Sequence, residues 1–230
     1  FQEYYSENKN DIFILTDGDV YVSENSVEEI TKTFRNNLNV GCITGKVVST
    51  DSRSEKYGFW SHLLFDGINK VRKRMSNQGK FFQVSGYLTA LRKGVIMECP
   101  LGAADDVLIP YLIWKKGYKI SYVENASVYV KNPSNWNDWI KQKSRNIKGH
   151  ENIKNVVSDM PRTKSFWNEI KEGTLFALTY PKNLTELFWT LQLFYARLYI
   201  YMASFIEIRK KKIYRDGWRE EEIKSTRTLD

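Results

Sequence analysis

Residues 11 to 19 of the chain, Asp-Ile-Phe-Ile-Leu-Thr-Asp-Gly-Asp, decide the fold that we expect. An apolar run stopped by Asp17-Gly18-Asp19 is typical of a buried strand that ends in a turn. The two carboxylates then lie at the carboxyl end of the strand, the edge where open α/β sheets bind their ligands. They can share a divalent cation with a diphosphate, because Mg²⁺ and Mn²⁺ favour few protein carboxylates plus phosphate oxygens. Taken alone, an acidic turn after a strand is more often only a turn.

Strands and helices alternate from this first strand to about residue 130. Ser26 and Glu29 form a capping-box pattern that predicts a helix to about Phe34. An apolar helix predicted at 107–116 ends at Gly117, which suits the left-handed conformation that closes many helices. Further strands are predicted at 40–48, 81–84, 87–91, 119–123 and 127–130. The alternation favours an α/β layer architecture.

The composition of the 230 residues fits one sizeable core with appendages. Lysine and arginine outnumber aspartate and glutamate by 35 to 27, and the net charge of +8 favours phosphate-bearing partners such as nucleic acid, anionic lipid or a nucleotide. No nucleic-acid motif is recognisable, and we predict no nucleic-acid partner. The basic segment 70–80 is predicted as a loop, either solvated or in contact with phosphate or lipid. Cys42 and Cys99 have neither zinc-ligand nor disulfide spacing.

A second acidic pair, Asp105-Asp106, stands immediately before the predicted helix at 107–116. By itself such a pair is more often a helix cap, since acids favour the first turn of a helix. Across a sheet edge from Asp17 and Asp19, one of its carboxylates can act as a general base, tuned by the metal and by its acidic neighbour.

A predicted amphipathic helix at 135–150 carries Gln142 and Arg145 three residues apart and therefore on one face. An arginine and an amide on one face suit contacts with phosphate or sugar hydroxyl groups. Trp136 and Trp139 of the same helix are more often core residues than a platform for a sugar.

The segment 187–206 has 16 apolar residues in 20 and is long enough to span a bilayer. Thr190, Arg197 and Ser204 recur every seven residues and define a polar stripe, and an arginine at mid-bilayer costs roughly 2.5 to 3.5 kcal/mol. We therefore favour a helix that lies in the headgroup plane, with the basic run at 209–212 facing anionic lipid. A buried helix of a soluble domain remains an open alternative.

Four blocks, taken in order, resemble the inverting family 2 glycosyltransferases of GT-A fold, the group that includes cellulose- and hyaluronan-synthase-like enzymes. The blocks are Ile14-Leu15-Thr16-Asp17-Gly18-Asp19, Val84-Ser85-Gly86 through Leu91-Arg92, Asp105-Asp106-Val107-Leu108 with Gly117-Tyr118-Lys119, and Gln142-Lys143-Ser144-Arg145. Together they cover roughly residues 11 to 150. Their order and spacing are far more specific than any one block.

The resemblance implies a role for each candidate residue. Asp17 and Asp19 would position the donor diphosphate together with Mg²⁺ or Mn²⁺. Asp106, next to Asp105, would deprotonate the acceptor hydroxyl. The further residues that would contact the donor diphosphate or the acceptor are Ser85, Gly86, Arg92, Gln142 and Arg145.

The chain departs from the family pattern at three places. Asp105 stands where the family usually has glutamate, which leaves the base in place. Asn146 replaces the tryptophan of the QxxRW block, which weakens any expectation of processive polymer synthesis. Only ten residues precede Asp11, so we expect the usual nucleotide-binding region before the DxD strand to be missing, as in the later part of a longer protein.

The sequence thus predicts an N-terminally incomplete GT-A mixed sheet with flanking helices over 1–150, and C-terminal amphipathic helices over 151–230. The predicted reaction moves a sugar from a nucleotide-sugar donor, with UDP-sugars favoured, to a glycan or lipid-linked acceptor at the cytoplasmic face of a membrane. Two alternatives stay open. One is a HAD-like magnesium-dependent phosphohydrolase, whose motif would want threonine or valine where Tyr21 stands. The other is a non-catalytic basic module that binds membranes.

Overall fold

The computed structural model describes residues 12–96, 105–156, 159–161 and 166–209. The chain forms two compact units, and each is built from two separate stretches of sequence. The first, here called the sheet unit, combines residues up to Val48 with Ile68–Val130. The second, the helical unit, combines Ser49–Gly67 with residues from Lys131 onward. The predicted domain boundary at residue 150 stays a prediction.

The sheet unit is organised around a mostly buried β-sheet. Its strands are β1 (Ile12–Thr16), β2 (Tyr21–Val22), β3 (Val40–Ser49), β4 (Leu88–Arg92) and β5 (Lys119–Val130), in the order β1-β4-β3-β5-β2. β1 is antiparallel to β4, with Thr16 opposite Leu88 and Ile12 opposite Arg92. β3 also pairs antiparallel with β4, and β2 with β5. The predicted α/β architecture is confirmed.

Two helices of the sheet unit, α1 (Ser26–Asn36) and α3 (Asp105–Lys115), pack against β5. Ile30 and Phe34 lie one turn apart on α1 and are both buried, as expected for an amphipathic helix. α3 lies so close to β3 that a methyl group at Gly41 would come within 2.6 Å of Ile113. The predicted end of α3 is confirmed, because Gly117 adopts a φ of 90°, which glycine tolerates best.

The beginning of α1 differs from the predicted capping box. The residue that caps the helix is Asn25, and within the described chain no side chain supplies a capping hydrogen bond. Ser26 is instead fully buried. Its hydroxyl lies 2.7 Å from that of Ser23 and donates to the carbonyl oxygen of Ser127 in β5. The serine therefore fastens the helix to the sheet.

Three further expectations about the sheet unit are corrected. The basic segment 70–80 is not a loop, because α2 (Lys56–Asn77) continues through most of it. Residues 81–85 form no strand, although they are buried. The strands predicted at 119–123 and 127–130 are one strand, β5, in which the exposed Glu124 and Asn125 interrupt the apolar pattern without ending the strand.

The helical unit consists of the first part of α2 together with α4 (Trp136–Val156), α5 (Phe166–Thr179) and α6 (Leu184–Arg209). α6 packs against both α4 and α5. Trp139 is buried and Trp136 stacks on it, so both tryptophans belong to the core. The buried cluster at the centre of the unit contains Phe59, Trp60, Leu63, Trp139, Ala177, Leu193, Ala196 and Ile200.

The predicted polar stripe of α6 faces the interior of the helical unit. Thr190 and Ser204 are both buried, and the Thr190 hydroxyl donates to the carbonyl oxygen of Glu186 one turn earlier. The guanidinium of Arg197 lies over the ring of Tyr201 at 5.3 Å from its centroid. Among the helices that the structure describes, none is both long and apolar enough to cross a membrane.

Candidate active site

The carboxyl end of β1 and the beginning of β4 share one edge of the sheet. Thr16 lies opposite Leu88, and its hydroxyl donates to the carbonyl oxygen of Tyr87 over 3.0 Å. The Asp17-Gly18-Asp19 turn, which follows Thr16 directly, therefore lies beside the residues that precede β4. The space around Gly18 is open, since a Cβ built there would meet no described atom within 4 Å.

Asp106 reaches the same edge from the first turn of α3. A Cβ built at Gly86, just before β4, would lie 3.9 Å from the Cβ of Asp106. Gln83 donates from its amide Nε2 to Oδ2 of Asp106 at 2.7 Å. The structure thus brings the predicted residues Gly86 and Asp106 together beside the acidic turn. The side chain of Asp105 lies outside what the structure describes.

Ser85 stabilises the backbone at this edge. Its amide donates to the hydroxyl of Thr44 at 3.0 Å, and its carbonyl oxygen accepts from the hydroxyl of Thr89 at 2.6 Å. The side chain of Ser85 is buried, which leaves Gly86 as the exposed residue of the pair.

Arg92 lies at the other end of β4. Its guanidinium donates to three backbone carbonyl oxygens, those of Phe34 at 2.7 Å, Val40 at 2.9 Å and Asn37 at 3.1 Å. These contacts link the end of α1 to the beginning of β3. The structure does not bring Arg92 to the edge formed by the acidic turn, Gly86 and Asp106.

Two buried polar residues next to Asp106 are not identified from the sequence. Gln83 holds the carboxylate of Asp106, and the Nε of Arg72 donates to the carbonyl oxygen of Gln83 at 3.1 Å. Burial lowers the pKa of Arg72 to about 10, while the charge of Asp106 acts in the opposite direction. A single amide within the apolar run 81–84 is the one signal that could have pointed to this pair.

Asp17 and Asp19 are the residues at this edge that could hold a divalent cation. They offer only oxygen donors, which Mg²⁺ and Mn²⁺ prefer. In the parts of the chain that are described, no group of three or more histidine, cysteine, aspartate or glutamate side chains could form a metal site. Two carboxylates at an open turn therefore fit a cation whose other ligands are phosphate oxygens of a bound molecule.

Gln142 and Arg145 belong to the helical unit, where α4 carries them on one face. Gln142 is buried, and its Oε1 accepts no hydrogen bond from the described residues. Buried amide oxygens in folded proteins usually have a partner, so this atom is suited to a ligand. Arg145 is half-buried.

Comparison with known proteins found one family model and no curated relative. The model described as "Glycosyltransferase like family 2" matches residues 3–149. The match includes the acidic turn, Asp106, Gln142 and Arg145. A search of curated proteins returned no match.

Proposed function

Since this chain belongs to glycosyltransferase family 2, we propose that it moves a sugar from a UDP-sugar to a hydroxyl group of a glycan or lipid-linked acceptor, with inversion of the anomeric carbon. Family membership makes the protein a glycosyltransferase with a nucleotide-sugar donor and an acceptor. Its sheet with flanking helices agrees with the GT-A fold. The observation that carries the finer proposal is the approach of Asp106 to Gly86 beside the Asp17-Gly18-Asp19 turn.

Asp106 is the proposed general base. Its carboxylate takes the proton of the acceptor hydroxyl, and the hydroxyl oxygen attacks the anomeric carbon from the face opposite the nucleotide. The bond between that carbon and the diphosphate oxygen breaks as the new bond forms. Its electron pair leaves with the nucleoside diphosphate. Attack from the opposite face is what inverts the configuration.

Asp17 and Asp19 are the proposed ligands of Mg²⁺ or Mn²⁺, which enzymes of this family commonly use. When bound, the cation would neutralise the charge that develops on the departing diphosphate. The open space at Gly18 supports this role, because it lets a diphosphate approach the backbone closely. The contacts of Gln142 and Arg145 with the diphosphate or the acceptor stay predictions from the family pattern.

Calorimetry with UDP- and GDP-sugars in the presence of Mn²⁺ tests the donor site. We expect UDP-sugars to bind weakly, and we expect that affinity to fall further, about tenfold or more, with a chelator or in Asp17→Asn/Asp19→Asn, because the diphosphate charge then lacks its counter-ion. Glu24→Gln removes an exposed carboxylate nearby in the sequence and should bind donor like the wild type. A donor affinity that is unchanged both by the chelator and in the double variant would contradict the metal site.

Asp106→Asn tests the base. The amide keeps the shape of the side chain but cannot take up the proton, so kcat for release of UDP should fall by roughly 10²- to 10⁴-fold while the donor Kd is unchanged. Undiminished turnover in this variant would rule out Asp106 as the base.

We further propose that the protein works against an anionic bilayer surface through one face of α6. Large apolar side chains on this face are exposed at spacings of three and four residues and so form a continuous row along the helix. We call this row the α6 stripe, and it consists of Leu184, Phe188, Leu191, Tyr195, Leu198, Met202 and Phe205. A continuous exposed apolar surface is typical of a site that binds another molecule.

The surroundings of the α6 stripe favour lipid as its partner. The opposite face of α6 is occupied, because Leu193, Ala196 and Ile200 pack into the core of the helical unit. The exposed Lys182 precedes the helix, and the basic sequence Arg209-Lys210-Lys211-Lys212 begins at its last residue. Apolar contact between basic flanks suits the headgroup region of a bilayer with anionic lipid. We propose the cytoplasmic leaflet, since that leaflet carries the anionic lipid.

A further inference from the structure

Behind Asp106, the sheet unit contains a row of buried polar groups that the proposed mechanism does not use. The side-chain amide of Gln83 donates to Oδ2 of Asp106, and the backbone carbonyl of Gln83 accepts a hydrogen bond from Arg72. Gln83 and Arg72 are each 7% exposed. Water therefore competes little for either contact.

Gln83 lies in a segment without regular structure whose apolar residues are at most 3% exposed. One of them, Phe81, packs against Tyr111 and Trp114 at 5.6 and 5.7 Å between ring centroids. Both partners are on α3, the helix whose first turn carries Asp106. The segment thus contacts α3 at two points, which fixes the position of the Gln83 amide relative to the carboxylate.

Arg72 places a positive charge behind this contact. With a pKa of about 10, its guanidinium is protonated at neutral pH. Its Nη1 makes no hydrogen bond to any residue in the described part of the chain. Arg72 and Asp106 attract each other, and Arg72 also donates a hydrogen bond to the backbone carbonyl oxygen of Gln83.

We propose that Gln83 is a positioning residue for the base, because its amide holds Oδ2 of Asp106 and so presents Oδ1 to the acceptor hydroxyl. An amide nitrogen donates a hydrogen bond but does not take up the proton, which therefore goes to Oδ1. Arg72 in turn positions Gln83, because it donates a hydrogen bond to the backbone carbonyl oxygen of Gln83. A carboxylate held in one orientation loses less freedom on reaching the transition state. The inference rests on the proposed role of Asp106.

The test compares Gln83→Met, which keeps the length of the side chain and removes the amide, with Asn69→Leu. Asn69 is another buried amide of the sheet unit, and it bonds the backbone of Val47 through both its oxygen and its nitrogen. In Gln83→Met, kcat for release of UDP from UDP-glucose or UDP-N-acetylglucosamine should fall about 10- to 100-fold, with KM and the donor Kd unchanged. Asn69→Leu should lower the melting temperature and leave kcat of the folded protein unchanged.

Gln83→Glu adds a measurement that a purely structural role would not move. At neutral pH the introduced carboxylate repels Asp106, so kcat should be low. At lower pH the introduced carboxyl, once protonated, donates to Asp106 as the amide does, and part of the activity should return. Among the described residues, Arg72 is a positive charge that acts on this contact, the carboxylates of Asp17 and Asp19 lie at the same edge, and Tyr87 and Tyr122 are titratable groups that act on Arg72. A pH profile that matches the wild type would overturn the inference.

Asp106→Asn separates this inference from the proposed function. Loss of turnover in Asp106→Asn, with full kcat in both Gln83 variants, would overturn the positioning role alone. Full turnover in Asp106→Asn, or no release of nucleoside diphosphate by the wild type from any donor tested, would overturn both. In Gln83→Met/Asp106→Asn we expect no loss beyond that of Asp106→Asn, because Gln83 acts through Asp106. If kcat of the double variant instead fell by the product of the two single losses, the inference would be overturned.

Discussion

At the residue scale, one ion pair joins distant parts of the helical unit. The guanidinium of Arg53 donates to both carboxylate oxygens of Glu186 at 2.9 Å and to the carbonyl oxygen of Tyr180 at 3.2 Å. The backbone amide of Lys182 donates to the same carboxylate at 2.7 Å. The hydrogen bonds from Arg53, followed by the one from Lys182, hold the pKa of Glu186 below its ordinary value, although burial acts against them.

Glu186→Gln should lower the free energy of unfolding at pH 7 by roughly 1.5 to 3 kcal/mol, because it removes the charge from these partly buried hydrogen bonds and replaces an accepting oxygen with an NH₂ group. A carboxylate whose pKa is lowered in the folded state adds stability above its ordinary pKa of 4.5 and loses it as the pH falls through the lowered value. The difference between wild type and variant should therefore shrink in acid. Urea unfolding followed by circular dichroism at pH 7 and at pH values below the ordinary pKa measures it.

Glu124→Gln is the matched control for this prediction. Glu124 pairs with Lys73 at the surface of the sheet unit, where both side chains are about half exposed. Exposed pairs contribute little, so this variant should cost at most about 0.5 kcal/mol. Equal losses in the two variants, or a Glu186 effect that does not change with pH, would contradict the argument.

At the scale of the element, the sequence predicts those strands and helices whose limits have local causes. β1 ends at its acidic turn and α3 ends near Gly117, and both are found as predicted. The capping role predicted for Ser26 is wrong because its hydroxyl bonds Ser127, 101 residues away. A sequence pattern that spans only a few residues cannot include a partner so far along the chain.

The candidate site divides in the same way. The acidic turn and Asp105-Asp106 stand out in the sequence because each pair of acids adjoins an apolar run. Arg72 gives no such signal, since it is one of several basic residues near the end of α2 and differs from them by its burial. The side-chain amide of Gln83 bonds the carboxylate of Asp106, which lies 23 residues further along the chain. Both residues acquire their contacts only in the folded sheet unit.

Two glycines in helices of the helical unit should respond to alanine in opposite directions. A Cβ at Gly58 in α2 would lie 1.9 Å from the carbonyl oxygen of Ser52, whereas a Cβ at Gly173 in α5 would meet no described atom within 4 Å. Gly58→Ala should therefore destabilise the protein by about 1 to 3 kcal/mol, because the backbone must move. Gly173→Ala should stabilise it by about 0.5 to 1 kcal/mol through helix propensity.

Thermal unfolding of both glycine variants, followed by circular dichroism, measures the two effects under one set of conditions. A destabilised Gly173→Ala would show that this position is crowded. An unchanged Gly58→Ala would show that the Ser52 carbonyl is free to move away.

At the scale of the whole molecule, the net charge of +8 and the α6 stripe should act together on a lipid surface. We expect the protein to sediment with vesicles of phosphatidylcholine and phosphatidylglycerol, and much less with phosphatidylcholine alone. Binding should weaken as salt is raised, because the attraction to anionic headgroups is screened.

Leu191→Gln/Met202→Gln tests whether the α6 stripe makes this contact. Each substitution removes apolar surface worth roughly 1 kcal/mol of transfer, so partition into anionic vesicles should fall about tenfold or more. Leu38→Gln is the matched control, because Leu38 is 75% exposed outside the α6 stripe and should bind like the wild type. Unchanged partition in the double variant, or a lipid-free dimer that the same double variant dissociates, would reject lipid as the partner.

The path of α2 has a consequence for how this protein folds during its synthesis. Residues 56–67 of the helix belong to the helical unit, and the remainder belongs to the sheet unit. The ribosome therefore synthesises the sheet unit, which ends at Val130, before it synthesises most of the helical unit. The core of the helical unit joins Phe59 and Trp60 to residues as late as Ile200. A nascent chain emerges at about 5 to 20 residues per second, so several seconds pass before the later residues that pack against these two aromatic side chains are synthesised. During that interval, we expect these two side chains to be available for binding by chaperones.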